Sequence, residues 1–226
     1  PGSTLQLAAM IAMIEDGHIS LDTPVDGGNG EWYYGGIKIT DTHRGGYGKM
    51  TALEAFEKSS NIAFAKMITE SYGDDPAAYI SRLHNMKLVE KLNLDIEGEG
   101  YANIVTPEDG SWSNSSLASL GYGYAVTLTP MHILTFYNAV ANGGKMMRPY
   151  FIEDFERDGV VTENFGPTVV SGSICSKSTL NAVRTALRGV VTDGTAKICD
   201  DKRYAIAGKT GTARVATNGR YEDEQG

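Results

Sequence analysis

The sequence predicts an α/β chain of the α+β type, in which helices dominate and strands are short. Three observations carry this. Residues 5 to 16 are apolar on nearly every side, which marks a helix inside a core and not on a surface. Thr51-Ala52-Leu53-Glu54 is a capping box, and Thr129-Pro130 is a cap followed by proline at the first helical position. The strand signals are brief: alternating pieces such as Ile37-Lys38-Ile39-Thr40, and one longer stretch, Tyr204 to Val215, kinked by glycine.

Each element follows in order. The first helix stops at Gly17, which supplies a left-handed end after Glu15-Asp16. Residues 18 to 50, rich in Gly and aromatics, read as loops and short strands. The capping box opens a helix with Leu53 and Phe56 on one face. Ser59-Ser60-Asn61 then interrupts good helix formers with residues that bond locally to backbone. A helical run from Ile62 to Ser71 stops at Gly73, and Pro76 opens another to about Val89. Residues 95 to 126 are Gly- and Ser-rich and read mostly as loop. The helix from Pro130 ends at Gly143-Gly144, and residues 167 to 175 read as extended. A further helix runs from Ser178 to Val191 and breaks at Asp193-Gly194.

Bulk properties bound the function. The 226 residues are 41% hydrophobic and 21% charged, the composition of an ordinary soluble globular protein. Twenty basic against 28 acidic residues give a net charge of -8. No basic stripe is present, which argues against a nucleic-acid surface. The longest apolar run, Leu7 to Ile14, is far too short to span a bilayer. No charged leader with a cleavage site is seen; the chain as given reads as soluble, with a cut from a parent that is not soluble left open. Cys175 and Cys199 form no CxxC and no metal spacing with the four histidines. They read as buried thiols, with one disulfide left open. No metal or cofactor is called for.

Three short motifs could carry chemistry. Lys209-Thr210-Gly211-Thr212 is the sharpest. It presents a cation and a hydroxyl together, and the glycine lets a ligand lie against the backbone, as holding a carboxylate requires. Alone, Lys-Thr-Gly reads as a strand end with a solvated lysine. Ser59-Ser60-Asn61 alone reads as a cap or turn. Its chemical reading is a hydroxyl that relays a proton and an amide that holds a peptide carbonyl. Ser3 alone reads as a helix cap. Yet backbone N–H groups at a helix start, at the positive dipole end, would stabilise a developing oxyanion.

Together, and in this order, the three motifs match the set that marks penicillin-recognising enzymes. The chain resembles the transpeptidase domain of a class B penicillin-binding protein, the enzymes that cross-link peptidoglycan. Pro1-Gly2-Ser3-Thr4 resembles the family's nucleophile segment, Lys58-Ser59-Ser60-Asn61 its second motif, and Ala207-Gly208-Lys209-Thr210-Gly211-Thr212 its third. Gly121-Tyr122-Gly123, Val126-Thr127, Thr129-Pro130 and Asn138 to Gly144 resemble its intervening turn and helix, so the likeness runs through nearly the whole chain. Asp41-Thr42-His43 and its spacing to Ser59 lean toward the division type over the elongation type.

The resemblance implies specific roles. Ser3 would attack the penultimate D-alanine carbonyl of a stem peptide and form an acyl-enzyme. The backbone N–H groups of Ser3 and Thr212 would form the oxyanion hole. Ser59 would relay a proton to the leaving D-alanine, and Asn61 would hold the donor amide. Lys209, Thr210 and Thr212, with Gly211 leaving room, would bind the terminal carboxylate. The partners implied are stem peptides ending in D-Ala-D-Ala, β-lactams, and other cell-wall synthesis or division proteins. The place implied is outside the cytoplasmic membrane, with a parent anchored by an N-terminal transmembrane helix. The family's core is an antiparallel sheet flanked by helices, so residues 1–226 would form an incomplete domain lacking strands before and after them.

One position departs from the pattern. The family places a lysine three residues after the nucleophilic serine, where desolvation lets it take the serine's proton. Here that position is Gln6, and a carboxamide has no useful basicity near neutral pH. No lysine in the chain lies three residues after a serine. Three readings stand open: a natural variant with lost activity, an engineered one, or a Pro1-Gly2-Ser3 start that is not the family's nucleophile segment. The leading function is therefore a D,D-transpeptidase domain impaired at Gln6. An inactive cell-wall peptide-binding or scaffold relative is second, and a serine β-lactamase or β-lactam sensor third.

Overall fold

The computed structural model describes residues 1–212 and the backbone of residues 216–217 and 220–221. Seven α-helices fall among the described residues: α1 (Gln6–Glu15), α2 (Ala52–Glu57), α3 (Asn61–Tyr72), α4 (Pro76–Asn85), α5 (Ser116–Gly121), α6 (Pro130–Ala141) and α7 (Lys177–Thr192). A 3-10 turn over Gly2–Leu5 leads into α1. Helix α1 lies against α3, α4, α5 and α7. Leu7, Met10, Ile11 and Met13 are wholly buried, and Ile14 is partly so. Each such side chain stabilises the fold by roughly 1.5–3 kcal/mol. The all-round apolar pattern is thus the pattern of a central helix. It closes at Gly17, whose φ is 77°.

The helix starts follow local chemistry. Both halves of the capping box of α2 are made: Glu54 N–H donates to Thr51 Oγ1, and Thr51 N–H donates to the Glu54 carboxylate. Thr129 caps α6 ahead of Pro130. Helix α4 ends at Asn85, short of Val89, because Met86 closes the last turn and Lys87 turns left-handed at φ 61°.

The strands pair only two by two. They are β1 (Pro24–Asp26) with β4 (Lys49–Thr51), β2 (Glu31–Tyr34) with β3 (Ile37–Thr40), and β5 (Asn103–Ile104) with β6 (Val126–Thr127). Further on come β7 (Met146–Met147) with β10 (Val169–Ser171), β8 (Asp154–Arg157) with β9 (Val160–Asn164), and β11 (Ala216–Thr217) with β12 (Arg220–Tyr221). All six pairs are antiparallel. The β2–β3 and β8–β9 hairpins each turn on two left-handed residues, Gly35-Gly36 and Asp158-Gly159. That dipeptide class matches the right-handed twist of the flanking strands.

Three expectations are corrected. Residues 95 to 126 are not mostly loop at their end: α5 forms there and buries Leu117, Ala118 and Leu120 against α3. Its serines hid it, since Ser favours caps and turns over helix interiors. Residues 204–212 of the expected Tyr204–Val215 strand make no ladder, and residues 213–215 lie outside the described residues. A strand needs a neighbour, and this segment instead spends its polar groups on α7: Gly208 N–H donates to Leu187 O, and Arg188 donates to Ile206 O. Cys199 is exposed, while Cys175 is buried, and both are free thiols.

Candidate active site

The turn between α2 and α3 has an unusual occupant. Ser60 N–H donates to Ala55 O (2.9 Å) and Ser59 N–H to Phe56 O (3.1 Å), the paired bonds of a Schellman ending. That ending wants glycine at its left-handed position, yet Ser59 sits there at φ 56°. A non-glycine residue so held costs about 1–3 kcal/mol. The turn brings Ser59 to face Gln6 and Lys209. Ser60 then caps α3 through Ala63 N–H and donates to Asp41 Oδ2 at 2.8 Å, while Ile62 N–H donates to Asp41 Oδ1. Asp41 therefore fastens β3's end to the start of α3. Burial pushes its carboxyl above the ordinary range.

Four polar side chains form one directed chain. Lys209 Nζ donates to Ser59 Oγ at 2.7 Å, and Ser59 Oγ donates to Gln6 Oε1 at 3.4 Å. Gln6 Nε2 donates to Asn61 Oδ1 at 3.3 Å, and Asn61 Nδ2 donates to Thr40 O at 3.2 Å. Gln6 is completely buried and makes both contacts, one as acceptor and one as donor. A protonated lysine at this position could only donate. Lys209 Nζ also reaches its neighbour Thr210 O and lies 5.6 Å above the Phe56 ring. Desolvation lowers the Lys209 amine to about 7.

Ser3 sits in the 3-10 turn ahead of α1 and is 8% exposed. Its backbone is pinned from two sides. Gly2 N–H donates to Gly123 O at 3.1 Å, and Tyr137 Oη donates to Thr4 O at 2.9 Å. Gly123, at φ 96°, packs so closely that an added Cβ would strike the Gly2 carbonyl. Gly211 packs beside the Thr4 methyl, and Thr210 shares a 2.6 Å hydroxyl contact with Thr195.

Ser3, Ser59, Asn61, Thr210 and Thr212 all line one cavity of about 670 Å³. Gln6 and Lys209 reach it through Ser59. The cavity is also lined by hydroxyls from Ser113, Ser115, Ser116 and Ser119, and by Asp41 and Thr195. Sequence reading missed the serines and Thr195: the serines gave only a loop signal, and Thr195 sits in no motif of its own. Asp41 stands out in the sequence within Asp41-Thr42-His43, but not as a residue lining the cavity. Among the described residues no three His, Cys, Asp or Glu side chains gather as a metal set.

A family model described as "Penicillin binding protein transpeptidase domain" matches residues 1–226. Penicillin-binding protein PbpB of Mycobacterium tuberculosis is 31% identical over 227 residues, covering 97% of this chain and 32% of that protein. Stage V sporulation protein D of Bacillus subtilis is 28% identical over 225 residues, covering 98% of this chain and 34% of that protein. The chain thus spans about a third of the length of the curated relatives it matches. A crystal structure of penicillin-binding protein 3 of Mycobacterium tuberculosis in complex with ampicillin superposes with a TM-score of 0.82 at 30% identity. That match covers 99% of this chain and 50% of the other.

Proposed function

The chain belongs to the penicillin-binding protein transpeptidase domain family, and from that premise we propose that it is the acyl-transfer domain of a class B peptidoglycan D,D-transpeptidase. Its substrate is a stem peptide ending in D-Ala-D-Ala, and a β-lactam occupies the same site as a mimic of that end. The M. tuberculosis relative seen with ampicillin supports the second statement by similarity. One observation carries the reading: Lys209, Ser59, Gln6 and Asn61 form a continuous hydrogen-bonded chain beside the cavity that Ser3 lines.

The roles follow from this placement. Ser3 is the nucleophile, and its N–H, with that of Thr212, faces the oxyanion. Asn61 holds the donor amide. Lys209, Thr210 and Thr212 take the terminal carboxylate, with Gly211 leaving room for it. Ser59 returns a proton to the leaving amine. Gln6 stands where a base would be, so acylation is slow while recognition persists. The domain works outside the cytoplasmic membrane, beside other cell-wall synthesis or division proteins. The exposed Ile198, Tyr204 and Ile206, next to a Lys-Thr-Gly segment without a ladder, support a sheet completed by further strands of a longer protein.

Labelling with a fluorescent penicillin tests the reading. A single adduct is expected, located on Ser3 by peptide mass and abolished by Ser3→Ala. An adduct elsewhere, or no binding of the penicillin at all, refutes it.

A further inference from the structure

The site lacks an amine at residue 6 but does not lack an amine. Lys209 Nζ touches the Ser59 hydroxyl at 2.7 Å, against 3.4 Å for the contact between Ser59 and Gln6. Shorter contacts are the stronger ones, so Ser59 is tied to Lys209 first. Lys209 also has no counter-ion among the described residues. The charged groups on the elements packed around it are engaged elsewhere. On α2, Lys58 pairs with Glu54, and Glu57 feels Asp193, Glu54, Lys58 and Lys197. On α7, Arg188 is tied to Asp200 and Ile206 O. At the start of α3, Asp41 is held by Ser60 and the Ile62 N–H, and the charge it feels is that of Lys66. From α1 only the neutral Gln6 reaches Ser59.

We propose that Lys209, acting through the Ser59 hydroxyl, accepts the Ser3 proton during acylation in place of the amine that residue 6 cannot supply. This rests on the functional reading above. Ser3 Oγ forms a bond to the carbonyl carbon of the peptide or β-lactam while its proton passes to Ser59 Oγ. The Ser59 proton passes in turn to neutral Lys209 Nζ, which becomes an ammonium. As the C–N bond breaks, the same two steps run backward and protonate the leaving nitrogen. No other reactant is needed.

The electrostatics suit the task. An amine lowered to about 7 by burial is substantially neutral near neutral pH, where an ordinary lysine is almost wholly charged. The neutral form takes the proton and the charged form holds the substrate carboxylate. Rising pH therefore speeds the acylation step while it weakens reversible binding.

The test is the rate constant of acylation by a fluorescent penicillin, resolved from reversible affinity, across about pH 5.5 to 8.5, a range that brackets an amine near 7. The protein is expected to gain rate about tenfold per unit below the amine's pKa and to level off above it. Lys209→Arg keeps a cation but cannot give up a proton, so it should keep reversible affinity within a few fold and lose about 10²–10⁴ in rate. Its profile should lose the rising limb. Thermal melts check folding of the arginine variant, and if it is unfolded, Ser59→Ala and the profile of the unaltered protein decide. Ser59→Ala should lose the limb as well.

A Lys209→Arg protein that acylates at the original rate, or a flat profile in the unaltered protein, overturns the inference. So does the absence of any adduct at every pH. If penicillin still binds reversibly, or labels Ser3 independently of Lys209, only this inference fails. If it does neither, the functional reading fails with it.

Discussion

Replacing Gln6 by lysine gives the most direct measure of how this site works. Gln6 is wholly buried, and its carboxamide reaches Ser59 on one side and Asn61 on the other. A lysine there keeps a donor for Asn61 Oδ1 and, while protonated, loses the acceptor for Ser59. If its Nζ lies where Gln6 Oε1 lies now, the contacts of 3.4 and 2.7 Å around Ser59 put it within about 6 Å of Lys209 Nζ. Two ammonium groups at about 6 Å in an effective dielectric of about 20 repel by about 2.8 kcal/mol, or about 2 pKa units. The pair then holds one proton, not two, at neutral pH, and a neutral amine stands beside Ser59. General-base catalysis of this kind is worth about 10²–10⁴-fold in all. With Lys209 already acting through Ser59 as proposed above, the rise in acylation rate expected for Gln6→Lys lies at the low end of that range, about 10²-fold. The assay is a time course of fluorescent-penicillin labelling, with intact mass reporting one adduct and competition reporting reversible affinity. Affinity should change little, because Asn61, Thr210 and the N–H groups proposed to face the oxyanion stay in place. A folded Gln6→Lys protein that labels at the original rate would falsify the assignment of residue 6 to the base position.

Three further expectations concern the frame around the site. Gly123→Ala drives a methyl into the Gly2 backbone that carries Ser3 and should cost about 10²-fold in labelling; Gly17→Ala, equally left-handed but facing open space, should cost about 1–2 kcal/mol of stability and leave labelling alone. Equal labelling by the two variants would count against the pinned nucleophile. Glu57 is buried, and burial first, then Asp193 and Glu54, push its carboxyl upward. A carboxyl raised on folding holds its proton more tightly in the folded state, so stability gains as pH falls through the folded pKa. Glu57→Gln should therefore melt higher at pH 7 than the original protein, with the gap closing on acidification; a gap that widens instead would show the opposite sign. Thr51→Ala breaks the capping box and should cost about 1 kcal/mol, or about 2–4 °C in Tm, readable by calorimetry.

Much of the helical frame was legible because its signals are local. The all-round apolar run of residues 7 to 14, the capping box at Thr51 and the Thr129-Pro130 start depend only on side chains within a turn or two, and each became a helix. Helix α5 was not legible, since Ser115, Ser116 and Ser119 lower helix propensity and only burial of Leu117, Ala118 and Leu120 against α3 repays it. The Tyr204 to Thr212 segment failed in the opposite sense. Its residues suit a strand, but a strand is a pairing between segments, and among the described residues the segment has only the single bridge of Tyr204 to Asp201.

The sequence by itself determined which residue types are present for chemistry: a serine ahead of a buried helix, Ser-Ser-Asn after a capped one, Lys-Thr-Gly near the end, and no lysine three residues after any serine. It could not determine what those residues do to one another. Only the tertiary structure set Ser59 into a left-handed position against its own preference and laid Lys209, 150 residues away in sequence, on its hydroxyl. The same packing stripped water from the Lys209 amine and lowered it to about 7. Basicity and hydrogen-bond direction are properties of the surroundings of a group. In this chain those surroundings come from α1, α2, α3 and the segment after α7, which the polypeptide brings together only when it folds.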